Sequence, residues 1–182
     1  MISNLYKKVD EFEKRLSFKE KLLCKEACSR CCYTDISVFE VEANFIRQWF
    51  KHLHPDVQEK LRADWSLPSS ESMNFANKLT TSCPFLIDER CSIYNARPLI
   101  CRTQGLPLKF SMDEGVFVDI CPLNEDLLDA ADMSEVLNLD LLNMILVQLE
   151  REDSGASDRK RVKLSDLKNE LLEKKEKCGL NR

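Results

Sequence analysis

Histidine and glycine are scarce in this 182-residue chain, which has two histidines, His52 and His54, and four glycines. Gly105, Gly115, Gly155 and Gly179 stand far apart. That excludes Walker and dinucleotide-binding loops, where clustered glycines let the backbone approach phosphate. The two histidines are too close together for the HExxH zinc-protease pattern. Long apolar runs are missing as well. The longest, Met144-Ile145-Leu146-Val147, falls far short of the roughly 18 residues of a membrane span. Met1–Phe18 carries charges throughout, where an export signal has an apolar stretch of roughly 7–15 residues, so no export signal is expected. Nor is there an excess of positive charge, since 27 Lys+Arg face 31 Asp+Glu for a formal net charge of −4.

The charge is unevenly spread. Residues 1–83 hold 13 basic and 12 acidic side chains, 84–150 hold 4 and 12, and 151–182 hold 10 and 7. A net acidic body is a poor footprint for nucleic acid. The basic run Arg159-Lys160-Arg161 lacks the interleaved aromatics on which bases stack. Neither a nucleic acid nor a membrane is expected as a partner, and no particular protein partner is indicated.

What the chain does have is nine cysteines, about 5% of its residues. That is below the roughly 8–10% of a disulfide scaffold, yet high for an ordinary core. An odd number of cysteines without an export signal points to a reducing compartment, the cytoplasm, and to thiolates rather than disulfides.

Length alone suggests one domain with an appendage. Ile2, Leu5, Val9, Phe12, Leu16 and Leu23 recur at helical spacing, predicting an amphipathic helix over 1–23. Residues 24–150 are expected to form the cysteine-cluster domain. Within it, Ser37-Val38-Phe39-Glu40 reads as a capping box opening a helix to about His52. Pro55 suits the first turn of a helix through about Trp65. Pro68–Ser72 is expected as loop and Met73–Leu79 as a weaker helix. Frequent turn signals from Cys83 to Cys121 predict two hairpins, Cys83–Ile87 with Cys91–Tyr94 and Leu108–Phe110 with Val116–Ile120. Helix is expected again over Leu139–Leu149. Residues 151–182 read as a linker at Ser154–Ser157 and an amphipathic helix at Ser165–Lys177. The predicted fold class is mainly α, with helices packed around an irregular, cysteine-rich metal-binding centre bearing small β-hairpins.

The sharpest local feature is Cys24-x3-Cys28-x2-Cys31-Cys32. If the first helix continues, residues four apart share a face, and Cys24, Cys28 and Cys32 form a stripe that can converge on a metal. The flanking Lys25, Glu26, Ser29 and Arg30 are not core neighbours, which argues against inert buried thiols. A second group, Cys83, Cys91, Cys101 and Cys121, supplies what one all-thiolate zinc or iron–sulfur site needs. Cys178 is left over as the odd thiol. Adjacent Cys31 and Cys32 suggest two metals, a bridging thiolate or a cluster. Arg97 and Arg102 flank Cys101 and could offset thiolate charge, the alternative for each being an ordinary ion pair. His52 and His54 are expected to face solvent, as are Glu125, Asp126, Asp129 and Asp132. Cys24-x3-Cys28-x2-Cys31 also has the spacing of radical S-adenosylmethionine enzymes. Those enzymes set the motif after a strand of a partial α/β barrel, whereas here it follows a helix and βα repetition is missing.

Taken in order, Cys24-x3-Cys28-x2-Cys31-Cys32, CPFL at 83–86, CSIYNARPLICR at 91–102 and Cys121-Pro122 resemble the YkgJ-type cysteine-cluster proteins, the family designated CxxCxxCC. The resemblance spans about residues 24–122. The first interval here is one residue longer than the C-x2-C of the family. The resemblance implies zinc or iron bound by eight cysteines, Cys24, Cys28, Cys31, Cys32, Cys83, Cys91, Cys101 and Cys121, with no defined reaction. The second expectation is an iron–sulfur enzyme, for group transfer or redox chemistry, using the same cysteines as cluster ligands.

Overall fold

The computed structural model describes residues 2–25, 27–73, 78–129, 131–154 and 161–173. In chain order the first elements are α1 (Ile2–Arg15), β1 (Ser37–Phe39), α2 (Glu40–Lys51), α3 (Pro55–Trp65), β2 (Glu71–Met73), β3 (Leu79–Thr81), β4 (Leu86–Ile87) and β5 (Arg90–Cys91). There follow α4 (Leu99–Thr103), β6 (Leu108–Met112), β7 (Gly115–Asp119), β8 (Leu137–Asn138), α5 (Leu139–Ser154), β9 (Arg161–Lys163) and α6 (Leu164–Glu173). Helix outweighs strand, and the strands are short, in keeping with a mainly α fold carrying small hairpins. No helix among the described residues is long and apolar enough to cross a membrane. The chain divides into two compact units, each built from two separated stretches: residues 1–25 with 98–158, and residues 26–97 with 159–182.

In the first unit, α1 buries Ile2, Leu5 and Val9 of the expected stripe together with Tyr6, while Phe12 is half-buried and Leu23, beyond the helix, is exposed. The helix stops at Arg15 rather than running to Leu23. Lys14 and Arg15 sit where the carbonyl end of the helix favours positive charge. Just beyond, the Ser17 N–H donates to the Glu135 carboxylate at 2.5 Å, fixing the exit. Arg102, on α4, is buried against α1, donating to both oxygens of Asp10 at 2.8–2.9 Å and lying over the Tyr6 ring. The sheet is ordered β7-β6-β8, with Phe110 opposite Phe117 in the antiparallel β6–β7 hairpin. Helix α5 packs on β6.

The core of the second unit gathers Val38, Ile46, Phe50, Trp65, Phe85 and Ile93 with Leu164, Leu167 and Leu171 of α6. Trp65 sits between Phe50 and Phe85, with ring centroids at 5.1 and 5.0 Å. Its indole N–H donates to Ser92 Oγ at 2.8 Å, and that hydroxyl donates to the Phe85 carbonyl at 2.8 Å, so the buried polar atoms are paired. Arg47 joins α2 to α6, donating to Glu40 and Glu170.

Two local expectations are corrected. Ser37–Phe39 is a strand, paired antiparallel with Arg161–Lys163, and α2 begins only at Glu40. Strand pairing buries Val38 in the core, and the capping task passes to Glu42, whose carboxylate accepts the Phe39 N–H at 3.1 Å. Pro68–Ser70 is loop as expected, but Glu71–Met73 and Leu79–Thr81 are antiparallel strands, with Glu71 opposite Thr81 and Met73 opposite Leu79, in place of the end of that loop and of the described ends of the 73–79 helix. Residues 74–77 lie outside the described residues, as do most of the 154–157 linker and the end of the 165–177 helix.

Candidate metal centre

Cys28, Cys31 and Cys32 belong to the second unit, on an irregular segment rather than a helix. The expected helical stripe of Cys24, Cys28 and Cys32 is therefore not formed. The helix has already ended at Arg15, and Ala27 adopts a left-handed φ of +73° that turns the chain. Backbone and side-chain bonds bring this segment to the β4–β5 hairpin. The Cys83 N–H donates to the Cys32 carbonyl at 2.5 Å, and Thr80 Oγ1 donates to the Tyr33 carbonyl at 2.8 Å. The hairpin turn is Asp88-Glu89, at φ +46° and +59°, the sign that the tightest two-residue hairpins require at both positions. The turn presents the Glu89 carboxylate to the cysteine segment, where it accepts from Ser29 Oγ and, at 2.7 Å, from Tyr33 OH. These two hydroxyls hold the Glu89 carboxyl below its ordinary range.

Four thiols of this unit act on one another. The Cys32 thiol donates to Cys31, which lowers the Cys31 pKa to about 7 against the opposing effect of burial. Its own backbone amide and the charge of Arg97 help. Cys32, the donor, is pushed far up, and the charges of Cys31, Cys83 and Cys91 reinforce the shift. Burial pushes Cys83 up to about 12, partly offset by the Phe85 N–H directed at its sulfur. Burial also raises Cys91, opposed by the Ile93 N–H and by Arg97. Cys83 and Cys91 thus each receive an amide from two residues onward, a donor that favours thiolate over thiol. Arg97 lies over the Tyr94 ring at 3.5 Å and donates to the Tyr94 carbonyl at 3.0 Å, which steadies its charge beside Cys31 and Cys91.

In the first unit, the Cys24 thiol donates to the Gln104 carbonyl at 3.2 Å. Gly105, at φ +88°, lets Cys24 approach, since a Cβ there would lie 2.3 Å from Cys24 Cβ. Buried Asn124 secures the contact, accepting from the Leu23 N–H at 2.9 Å and donating to the Gly105 carbonyl at 3.0 Å. Cys121 lines a cavity of about 170 Å³ that Gln104 and Gly105 also line. Cys101 lies on α4, its N–H donating to the Pro98 carbonyl at 3.0 Å. All eight of these cysteines are half-buried, and Cys178 lies outside the described residues.

Arg97 stands where a charge-balancing arginine was expected, whereas the side chain of Arg102 goes to Asp10 and Tyr6. His52 and His54 are exposed, and His54 caps α3 by accepting the Asp56 N–H. Glu125, Asp126, Asp129 and Asp132 are exposed as expected. The supporting residues Glu89, Tyr33, Gly105 and Asn124 were not singled out from the sequence. Glu89 and Gly105 left a trace there, each as part of a turn signal.

Among the described residues, no group of three or more His, Cys, Asp or Glu side chains is already converged on a metal-binding point. The donor chemistry nevertheless fits zinc or iron, both of which soft thiolate ligands select. Ser82, beside Cys83, adds a buried hydroxyl with no hydrogen-bond partner among the described residues.

A family model, CxxCxxCC, described as "Putative zinc- or iron-chelating domain", matches residues 23–122. The chain belongs to this family, and metal binding is the property that membership supports. The matched region holds the eight expected cysteines and leaves out Cys178. No curated protein and no solved structure matches the chain.

Proposed function

We propose that this chain is a thiolate chelator of zinc or iron whose principal ligands are Cys31, Cys32, Cys83 and Cys91. The observation that carries the reading is the backbone bond from the Cys83 N–H to the Cys32 carbonyl, which ties the Cys31–Cys32 segment to Cys83 and to the β4–β5 hairpin that bears Cys91. Four thiolates around one dication leave about two negative charges, which Arg97 is placed to offset. The Ser82 hydroxyl is a donor in reserve beside Cys83. Cys28 supplies a further thiol on the same unit, and Cys24, Cys101 and Cys121 supply three on the other. A reducing compartment, the cytoplasm, suits cysteines that serve as thiolate ligands. Bound metal supplies Lewis acidity or, in an iron–sulfur cluster, one-electron transfer. The protein's own part is to gather the sulfurs, balance their charge and take metal-binding energy into folding.

The test is elemental analysis and a visible spectrum on anaerobically purified protein, alongside a Cys31→Ser/Cys32→Ser variant. Stoichiometric metal in the parent, lost in the variant together with a fall in Tm, is expected. Unchanged metal content and melting would overturn the assignment. The iron–sulfur enzyme remains the second reading, favoured by the cavity beside Cys121, which leaves room for a small substrate. It requires brown, iron-containing protein, and colourless protein with stoichiometric zinc eliminates it.

A further inference from the structure

The β6–β7 hairpin of the first unit has a use that metal binding does not account for. All five residues of β7 are exposed, among them Val116, Phe117 and Val118, and its outer edge is paired with no described strand. An exposed, apolar, unpaired edge is a liability in a protein unless something pairs with it. By alternation, Leu108, Phe110 and Met112 of β6 share a face with Phe117 and Asp119 of β7. Phe110 and Phe117 stack on that face with ring centroids 6.1 Å apart. Leu108, Phe110 and Asp119 also line the 170 Å³ cavity, so the aromatic shelf runs into a recess with room for one side chain.

Charge says what kind of chain would fit. Asp113, Glu114 and Asp119 rim the shelf, and none makes an ion pair among the described residues. A second copy of the same edge would set these acids against one another. An arginine instead satisfies both features, since its guanidinium stacks on aromatic faces and pairs with carboxylates in a planar fork.

We propose that β7 is a docking edge for an extended, arginine-bearing peptide segment of a partner protein. The peptide adds as a fourth strand beside β7, with an arginine stem along Phe110 and Phe117 and its guanidinium at Asp119. Backbone pairing supplies affinity and the acid-rimmed shelf supplies selectivity, as in other strand-addition complexes.

The test uses the full chain, with two short fluorescent peptides alternating valine with arginine or valine with glutamate. The arginine peptide should bind at least about tenfold tighter, the preference should shrink with salt, and Asp119→Asn should remove most of it. Amide exchange should slow at Val116–Asp119 when that peptide binds. No binding, equal binding of both peptides, or an unchanged Asp119→Asn variant overturns the proposal. Protection of the same amides in the free chain that grows with protein concentration would assign the edge to a second copy, and overturns it too. Metal content plays no part in these readouts.

Discussion

Replacing Glu89 by alanine should loosen the cysteine segment without touching a thiol. Its carboxylate accepts from Ser29 Oγ and from Tyr33 OH, and Tyr33 is itself buried. A hydrogen bond to a charged group contributes roughly 1.5–3 kcal/mol when well shielded. Glu89 is exposed, and solvent screening brings each bond nearer to about 0.5–1 kcal/mol. Losing both should therefore cost about 1–2 kcal/mol, a fall in Tm of about 2–8 °C in a chain of this length. Because the same bonds hold the Cys31–Cys32 segment against the hairpin bearing Cys83 and Cys91, the loss should also appear in metal binding. At about 1.4 kcal/mol per tenfold, affinity should weaken roughly five- to thirtyfold in a chelator competition titration. Glu89→Gln keeps one oxygen acceptor and should show about half the effect. Asp88→Gly, in the same turn, relieves a positive φ while sparing the carboxylate, and should be neutral or slightly stabilising with metal affinity unchanged. If Glu89→Ala melts and binds metal like the parent, the carboxylate does not order the segment and the reasoning fails.

Three further outcomes follow from the same structure. Without metal, Cys32, Cys83 and Cys91 have raised pKa values and are protonated at neutral pH, whereas metal-bound thiolates are not. Metal uptake near pH 7 should therefore expel about three protons, and affinity should climb with rising pH and fall in acid, as calorimetry in buffers of different ionisation heat can check. Arg102→Met should strand half-exposed Asp10 and cost about 2 kcal/mol by chemical denaturation, with metal content unchanged. Loss of metal in that variant would return Arg102 to a charge-balancing role. Gly105→Ala forces a left-handed φ on alanine and drives a Cβ into Cys24, so it should cost more than about 2 kcal/mol and raise the reactivity of the Cys24 thiol.

What could be read from the sequence was what depends on local chemistry. The buried stripe of α1, the start of α3 at Pro55 and the β6–β7 hairpin follow from periodicity and turn residues close together in the chain, whereas the hairpin expected from Cys83–Ile87 with Cys91–Tyr94 pairs only Leu86–Ile87 with Arg90–Cys91. The errors arose where distant partners decided. Ser37–Phe39 looks like a helix start until Arg161–Lys163 is placed beside it, and no local pattern announces that pairing. The cysteine stripe failed for a related reason: the helix that would have carried it was halted at Arg15 and its exit tied to Glu135. The cysteines themselves stood out by number and order, but their supports did not. Asn124 and Gly105 matter only through contacts to Leu23 and Cys24, which lie on the opposite side of the sequence.

The pairing of β1 with β9 also sets a timetable. Val38 of β1 shares its core with Leu164, Leu167 and Leu171, so that core stays unfinished until α6 has left the ribosome. During synthesis, which adds about 5–20 residues per second, Cys28, Cys31, Cys32, Cys83 and Cys91 emerge for several seconds before the scaffold that holds them can close. The chain must keep five reactive thiols unoxidised through that interval, so the redox state of the compartment matters before the protein has folded as well as after.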